Sequence, residues 1–508
     1  MAGQEMKRRA FLMASVAALA LPAAADMPRF LSSEPFGPNT VIELARALSK
    51  QPFVLRPSVP EAWRNLTYDE YRKIWFNTSK AVWVENDLPF QMDLFHPGLY
   101  FPRAVEVDVV RDDMANRLAF DFALFDATDD APQLPIDESM GYSGLRLRHQ
   151  FAGETNHREF AVFQGASYFR AIGAAQNYGL SARGLALRTG DAEGEEFPDF
   201  TRLWVEEPVM GDDSIVVHAL LDSPSVTGAY RFVIRPGETC DMDVEATIFP
   251  RVDLDHVGIA PLTSMFLYDE TNRPRFEDFR PAIHDSDGLL VWNGRGEMLW
   301  RPLANPTTLQ VSSFVDDTPR GFGLMQRANK LSDFADLEAH YHKRPSLWIE
   351  PGEDWGQGVV RLVEIPSDEE IYDNIVAYWR PRDVIPAGSE ARFTYRMTWG
   401  DAAPERRDVA RVLNTHMGKN FTRDRWLAAI DFAAHPALVG DLDDVTIQVS
   451  SGSADVSEGI LQRNPETGGA RLAFTFDPGD RRAVELRAQL RKDGTTVSEV
   501  WLYRWTAT

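Results

Sequence analysis

The 508-residue chain holds one cysteine, Cys240, so it cannot form an internal disulfide and has no CxxC pair for zinc or redox chemistry. Its setting, PGETCDMDVEATIF, lacks any nucleophile signature, and Cys240 reads as a small apolar filler ahead of an alternating segment. Long apolar runs are missing too. The stretch from Phe11 to Ala20 falls short of the roughly 20 residues that span a bilayer, and no later stretch comes close. Positive charge is scarce: 53 Lys and Arg stand against 76 Asp and Glu, a net charge of -23. Such a surface repels phosphate backbones and anionic lipid, which excludes nucleic acid and peripheral membrane binding as leading readings. A neutral ligand such as a sugar meets no such barrier. HExxH, GxSxG, a Walker loop and GxGxxG are all absent, which removes the signatures of zinc hydrolases, serine hydrolases and nucleotide-binding folds. Neither a repeat of 20 to 50 residues nor a long low-complexity tract occurs.

What is present is ordinary globular composition, 44% hydrophobic and 25% charged, in a chain long enough for two or three domains and a large core. The N-terminus, MKRRAFLMASVAALALPAAAD, has a basic region, an apolar stretch and small residues before Asp26, the pattern of an export signal over residues 1–25. Arg8-Arg9-Ala10-Phe11-Leu12 resembles a twin-arginine address, with an ordinary secretory signal as the alternative. Either destination is outside the cytoplasm. Without residues 1–25 the chain carries 50 basic and 75 acidic residues, a net charge of -25.

Two early segments have helical character. In NTVIELARALSK, Val41, Leu44, Ala45 and Leu48 follow helical spacing behind Asn39 or Thr40. In TYDEYRKIWF, Thr67 and Glu70 make a capping box before Ile74 and Trp75. Beyond them the period becomes two: AVEVDVV, RLAFDFALF, SIVVHALL, AYRFVIRPG and ARFTYRMTW are separated by Gly, Pro and Asp turns. Many short strands without intervening helices predict an all-β protein, with a large N-terminal antiparallel β-sandwich over residues 26–400. A polar connection at 401–420 is expected as a linker. RWLAAIDFAA, VTIQVSS, ARLAFTFDP, AVELRAQLRKDG and SEVWLYRW then predict a small immunoglobulin-like β-sandwich at 421–508, with six or seven strands.

The stretch PAIHDSDGLLVWNGRGEMLWRPL, 281–303, places His284, Asp285 and Asp287 before an apolar, aromatic run. HDSD alone reads as a solvated turn, a metal cradle or half of an acid/base site. A metal needs three or four converging ligands, which H-D-x-D does not supply, so no metal and no cofactor are expected. A loose DxD reading, as in metal-dependent glycosyltransferases, would require a nucleotide-sugar donor that is scarce outside the cytoplasm. Several other stretches combine an aromatic, a charged or amide side chain, and Gly or Pro: QGASYFRAIG, QNYGLSARGLALRTG, EEFPDFTRLWVEEP, GFGLMQR, KRPSLWIEP and DNIVAYWRP. Carbohydrate sites need that mixture, because sugar C–H faces lie on rings while hydroxyls take paired hydrogen bonds. Aromatics filling two sandwich cores would produce the same composition.

The set ASYFRA, YGLSARGL, EEFPDFT, HDSDGL, GFGLMQR, RPSLWIEP and DNIV, in this order along essentially the whole chain, resembles the periplasmic glucan biosynthesis family OpgG/OpgD, also called MdoG/MdoD. The resemblance implies a large β-sandwich joined to an immunoglobulin-like domain. It also implies a periplasmic role in osmoregulated glucans, with anomer-inverting endo-β-1,2-glucanase activity. Two alternatives are an inverting transglycosylase that cyclises or branches the glucan, and a non-catalytic glucan-binding factor. By motif, the family's catalytic aspartates fall on Asp373 of YDNIV as general acid and Asp285 of HDSDGL as general base, 88 residues apart. Inverting pairs usually stand roughly 6.5 to 9.5 Å apart, although the resemblance implies a proton relay that would permit more. Asp373 has apolar neighbours in sequence, Tyr372, Ile375 and Trp379, and an acidic one in Glu370, each able to raise a carboxyl pKa.

Expected substrate contacts are Tyr168, Arg170, Arg183, Asp199, His284, Asp287, Trp292, Arg344, Trp348, Glu350, Trp355 and Glu370. His284 and Asp287 would alternatively orient their loop. Glu353 and Asp354 are further acids, with no catalytic role assigned. A homodimer is implied by resemblance only. No stable membrane insertion is expected once the signal is removed.

Overall fold

The computed structural model describes residues 28–86, 88–404 and 407–507, so the expected export signal lies outside the described residues. The regular structure is almost entirely strand, in several mainly antiparallel sheets, as the period-two segments predict. The first sheet is built around Asp199–Glu206, Ile215–Asp222, Val226–Arg235, Cys240–Pro250 and Ala391–Gly400, which pair in that order. Alternation sets which side is buried: Val217, Ala219 and Leu221 point into the core, and Phe232, Ile234, Met242 and Val244 continue the same face. Cys240 is buried in this core, where desolvation pushes its thiol pKa up and leaves it an inert filler.

The second sheet faces the first and includes Gln310–Asp317, Gln357–Glu364, Ile375–Pro381, Val257–Ser264, Ser181–Arg183 and Tyr168–Ala171. Helix Thr40–Ser49 lies on the other side of the first sheet, where Val41 and Ala45 are buried and Thr227 donates to the Ala45 carbonyl at 2.8 Å.

Three local expectations are corrected. The Thr67/Glu70 capping box forms, but its helix spans only Tyr68–Tyr71, and Ile74–Phe76 is a strand paired with Phe125–Ala127. Ile74 and Phe76 point inward while Trp75 is 46% exposed, so period two wins over helical spacing. RLAFDFALF is not one strand: Asp121 accepts from the Ala123 amide at 2.9 Å and turns the chain between Met114–Leu118 and Phe125–Ala127. Within the expected linker, Val412–Lys419 is a strand paired with Trp426–Phe432. It lies at a sheet edge, where one neighbour suffices and hydrophobic alternation is weak.

The two sandwiches also share a sheet. Val500–Thr506 adds in parallel to Met298–Pro302, and Ala483–Lys492 and Thr446–Ser451 extend it further. A five-stranded sheet including Trp426–Phe432 and Ala470–Asp477 covers this extension. Trp300 and Trp348 of the large unit pack there with Ile430, Phe474 and Trp501, forming one core across the junction.

Candidate active site

Three residues, Ser264 to Phe266, bring together positions that are 88 apart in sequence. Ser264 pairs with Ile375 across adjacent strands, and the Asn374 amide N–H donates to the Ser264 carbonyl at 3.0 Å. The Asn374 side chain accepts from the Phe266 N–H at 2.8 Å and donates to the Phe266 and Ile365 carbonyls at 2.9 and 3.0 Å. On the other side, the Asp285 N–H donates to the Met265 carbonyl at 2.8 Å, and the hydroxyls of Ser264 and Ser286 meet at 2.8 Å. Asn374 and Ser286 are buried with these bonds satisfied, so the backbone beside each aspartate is fixed.

The two carboxyl groups differ in setting. Asp285 is buried, and Arg344 Nη1 donates to its Oδ1. Arg344 in turn lies over the Tyr341 ring, 4.1 Å from its centroid. Gly179 makes room for it: a Cβ there would meet Arg344 Cβ at 2.9 Å, which explains the glycine in YGLSARGL. Asp373 has no such clamp. Its side chain remains 31% exposed, and Arg170 Nη2 stands 3.9 Å away. Burial raises the Asp373 pKa; Arg170 pulls it back, while the negative charge of Asp285 pushes it further up. Asp373 therefore feels the charge of Asp285, which places the two carboxyl groups in one site.

One wall is aromatic and basic. Arg183, buried, donates to Thr263 Oγ1 at 2.9 Å and Glu195 Oε1 at 2.5 Å. Its guanidinium lies 5.1 Å from the Tyr168 ring and 5.5 Å from that of Phe197. Burial raises the Tyr168 pKa, with Arg183 opposing and Asp373 adding to the shift, so this wall adjoins the aspartates. The opposite wall is tied by Arg280, which the sequence reading missed. It donates to Asp278 at 2.8 and 3.0 Å and to Asp336 at 2.9 Å, and pairs with Glu370 at 2.9 Å. Its hydrogen bonds hold the Asp278 carboxyl down at about 2. Arg280 thereby joins the segments carrying Arg344 and Asp373. Its nearness to HDSD in DFRPAIHDSD was the only sequence signal; Tyr341, in HYHKRPSLW, had none.

Other expected contacts are placed elsewhere. Trp348 is 1% exposed and lies over Gly321 and Gly323 in the core between the sandwiches, with its Nε1 donating to Glu350 at 3.1 Å. The expectation of a sugar platform there is corrected, because no face of the ring is free. Trp355 is also in the core, edge-on to Phe393 and Tyr395. Trp292 packs against the junction core, under Arg320 at 5.3 Å. Asp199 accepts from Arg56 at 3.0 Å and lines a different cavity of about 260 Å³ with Tyr100 and Phe200. His284 is 1% exposed between Phe266 and Phe334, with Gln326 at 3.0 Å from Nδ1. Asp287 accepts from the backbone amides of Arg327 and Ala328. His284 is thus a support for its loop and not a sugar contact, and Asp287 holds the neighbouring 326–328 turn. Among the described residues, no group of three or more His, Cys, Asp or Glu side chains is arranged to hold a metal ion.

Known proteins supply the wider context. Glucans biosynthesis protein G of Shewanella sp. (strain ANA-3) is 48% identical over 493 residues, covering 96% of this chain and 90% of that protein. The protein of the same name from Vibrio cholerae (strain ATCC 39541) is 49% identical over 485 residues, 95% of this chain and 89% of its own length. Among solved structures, a galactose mutarotase related enzyme from Lactobacillus acidophilus aligns over 48% of this chain and 98% of its own at 8% identity, with a TM-score of 0.22, too remote to bear on function. The sequence pattern of the family described as "Periplasmic glucan biosynthesis protein, MdoG" matches residues 36–505. With nearly the whole described chain inside that match, this protein belongs to the MdoG family of periplasmic glucan biosynthesis proteins.

Proposed function

We propose that this protein is a periplasmic enzyme that cleaves β-1,2-glucan with inversion at the anomeric carbon. Asp373 is the general acid and Asp285 the general base. The observation that carries the reading is the asymmetry of the two carboxyl groups. An inverting hydrolase needs one group that keeps its proton and one that accepts a proton from water. Asp373 has its pKa raised by burial and by Asp285, which suits it to donate to the leaving oxygen. Asp285 accepts a guanidinium hydrogen bond from Arg344, an arrangement that fits the ionised form a base requires. Arg170, Tyr168 and Arg183 are arranged to bind sugar hydroxyls and a ring face beside the acid. Among the described residues no helix is long and apolar enough to cross a membrane, and the export signal at 1–25 would deliver the chain to the periplasm. Light scattering on the purified chain tests the homodimer implied by resemblance.

The test is incubation of the purified mature protein with linear β-1,2-glucan, with products resolved by chromatography and mass. Shorter reducing chains are expected. Products lacking one water would replace hydrolysis by cyclising transglycosylation, and an unchanged glucan that still binds would reduce the role to that of a binding factor.

A further inference from the structure

The cavity of about 260 Å³ that Asp199 lines adjoins the wall formed by Tyr168 and Arg183. Arg56, Tyr100, Phe101, Arg103 and the turn at 165–166 also line it. Two stretches of chain connect it to that wall. Ala166 precedes Tyr168 by two residues, and Phe197, whose ring lies 5.5 Å from the Arg183 guanidinium, precedes Asp199 by two. Even fully extended, two residues span only about 7 Å, so cavity and wall are contiguous. The same bound puts the Cα of Ala166 no more than about 14 Å from that of Arg170, whose guanidinium stands 3.9 Å from Asp373. A few linked sugar units cover that distance.

Local backbone fixes the shape of the cavity. Gly165 has φ of +80°, and a Cβ there would meet the Phe101 ring at 3.0 Å, so glycine lets the turn close onto that ring. The Tyr168 amide donates to the Gly165 carbonyl at 2.9 Å, and the Phe200 amide to the Ala166 carbonyl at 3.0 Å, which ties the turn to the start of strand Asp199–Glu206. Arg56 is held twice: Nη1 donates to the Ala104 carbonyl and Nη2 to Asp199 Oδ2 at 3.0 Å. The side chains of this pair remain 25% and 29% exposed, so neither charge is sealed from a ligand.

The lining chemistry suits a neutral, hydroxyl-bearing ligand. Asp199 already has its cation, so the pair offers a fixed acceptor beside fixed donors, which neighbouring sugar hydroxyls can take up together, and Arg103 adds a further donor. Tyr100 is 74% exposed and Phe197 50% exposed, so both rings are open to sugar C–H faces, whereas Trp348 and Trp355 are in cores. The volume lies just under the roughly 300 Å³ at which pockets for drug-sized ligands begin, leaving room for a single sugar ring. We propose that this cavity is a distal saccharide subsite, in which Arg56, Asp199 and Tyr100 hold one glucose unit of a chain that reaches the aspartates past Phe197 and Tyr168. The proposal rests on the glucanase reading above and adds to it a preference for long chains.

The test has a binding arm and a turnover arm. Calorimetric titration of the full mature chain carrying Asp373→Asn with a long linear β-1,2-gluco-oligosaccharide should show saturable binding. Adding Tyr100→Ala, which removes an exposed ring and threatens no packing, should weaken that binding about tenfold, and adding Asp199→Asn should weaken it to a similar degree. In the chain with Asp373 intact, Tyr100→Ala should lower kcat/KM on long chains about tenfold relative to kcat/KM on the shortest chain that is cleaved. Long-chain binding unchanged in both variants, or equal losses on long and shortest chains, would overturn the subsite and leave the catalytic assignment standing. Glucan left intact by the unsubstituted protein, yet bound with the same loss in Tyr100→Ala, would sink the glucanase reading and keep the cavity as a glucan site.

Discussion

The candidate cleft and the junction between the sandwiches use the same kinds of residue, arginine, carboxylate and aromatic, to opposite ends. At the junction the buried carboxylates are matched: Arg327 pairs with Glu499 through two bonds at 2.7 and 2.8 Å, and Glu499 also accepts from the Val412 amide at 2.8 Å. Arg327 lies 3.5 Å from the centroid of the Trp300 ring. Arg301 and Glu364, both buried, meet at 3.0 Å. In the cleft, Asp285 is clamped but Asp373 has a cation at 3.9 Å and an open side. Saturated partnerships rigidify, whereas a carboxyl group left without a close partner keeps a raised pKa and can exchange a proton. The contrast separates structural charge from functional charge better than residue type does.

The largest effect that would break the comparison comes from the acids. Asp285→Asn and Asp373→Asn should each lower glucan turnover by about 10²–10⁴-fold, the range for loss of a general acid or base, with thermal unfolding little changed. Normal turnover in either variant removes that residue from the mechanism. At the junction the expectation reverses: Glu499→Ala strands the largely buried Arg327 and should cost about 3 kcal/mol in urea unfolding. Activity per folded molecule should survive, and an activity loss exceeding the stability loss would show the two regions to be coupled.

Arg280→Lys tests the staple between the walls. Lysine cannot hold Asp278, Asp336 and Glu370 together, and slight misplacement of the catalytic segments should lower kcat by about tenfold, with KM less affected. An unchanged kcat would make Arg280 a dispensable surface pair. The smallest effect is a pH shift. In the proposed mechanism the protonated Asp373 is the acid, so turnover should fall as pH rises through its raised pKa; Arg170 lowers that pKa, so Arg170→Gln should move the alkaline limb upward. A limb that stays or moves down contradicts the assignment of the acid.

Much of the fold was legible because strand alternation is a local property. SIVVHALL, AYRFVIRPG and ARFTYRMTW became Ile215–Asp222, Val226–Arg235 and Ala391–Gly400. The failures were also local: at Ile74–Phe76 helical spacing competed with strand alternation over three residues, and at Val412–Lys419 an edge strand carried too little apolar signal. Within the candidate site, the charged residues expected from sequence, Arg170, Arg183, Asp285, Arg344, Glu370 and Asp373, come together. The tryptophans do not. Trp348 and Trp355 were indistinguishable in sequence from sugar platforms, since a ring buried in a core and a ring lining a cleft have the same flanking pattern.

The sequence by itself determined the all-β class, the strand faces and the family, because composition, period and motif order are written along the chain. Tertiary structure alone decided that Asp285 and Asp373 share one site, since the hydrogen bonds of Ser264 to Phe266 tie together segments 88 residues apart. It also decided which arginines found carboxylates and which did not. Such pairing depends on distances between strands remote in sequence, and no local pattern encodes them.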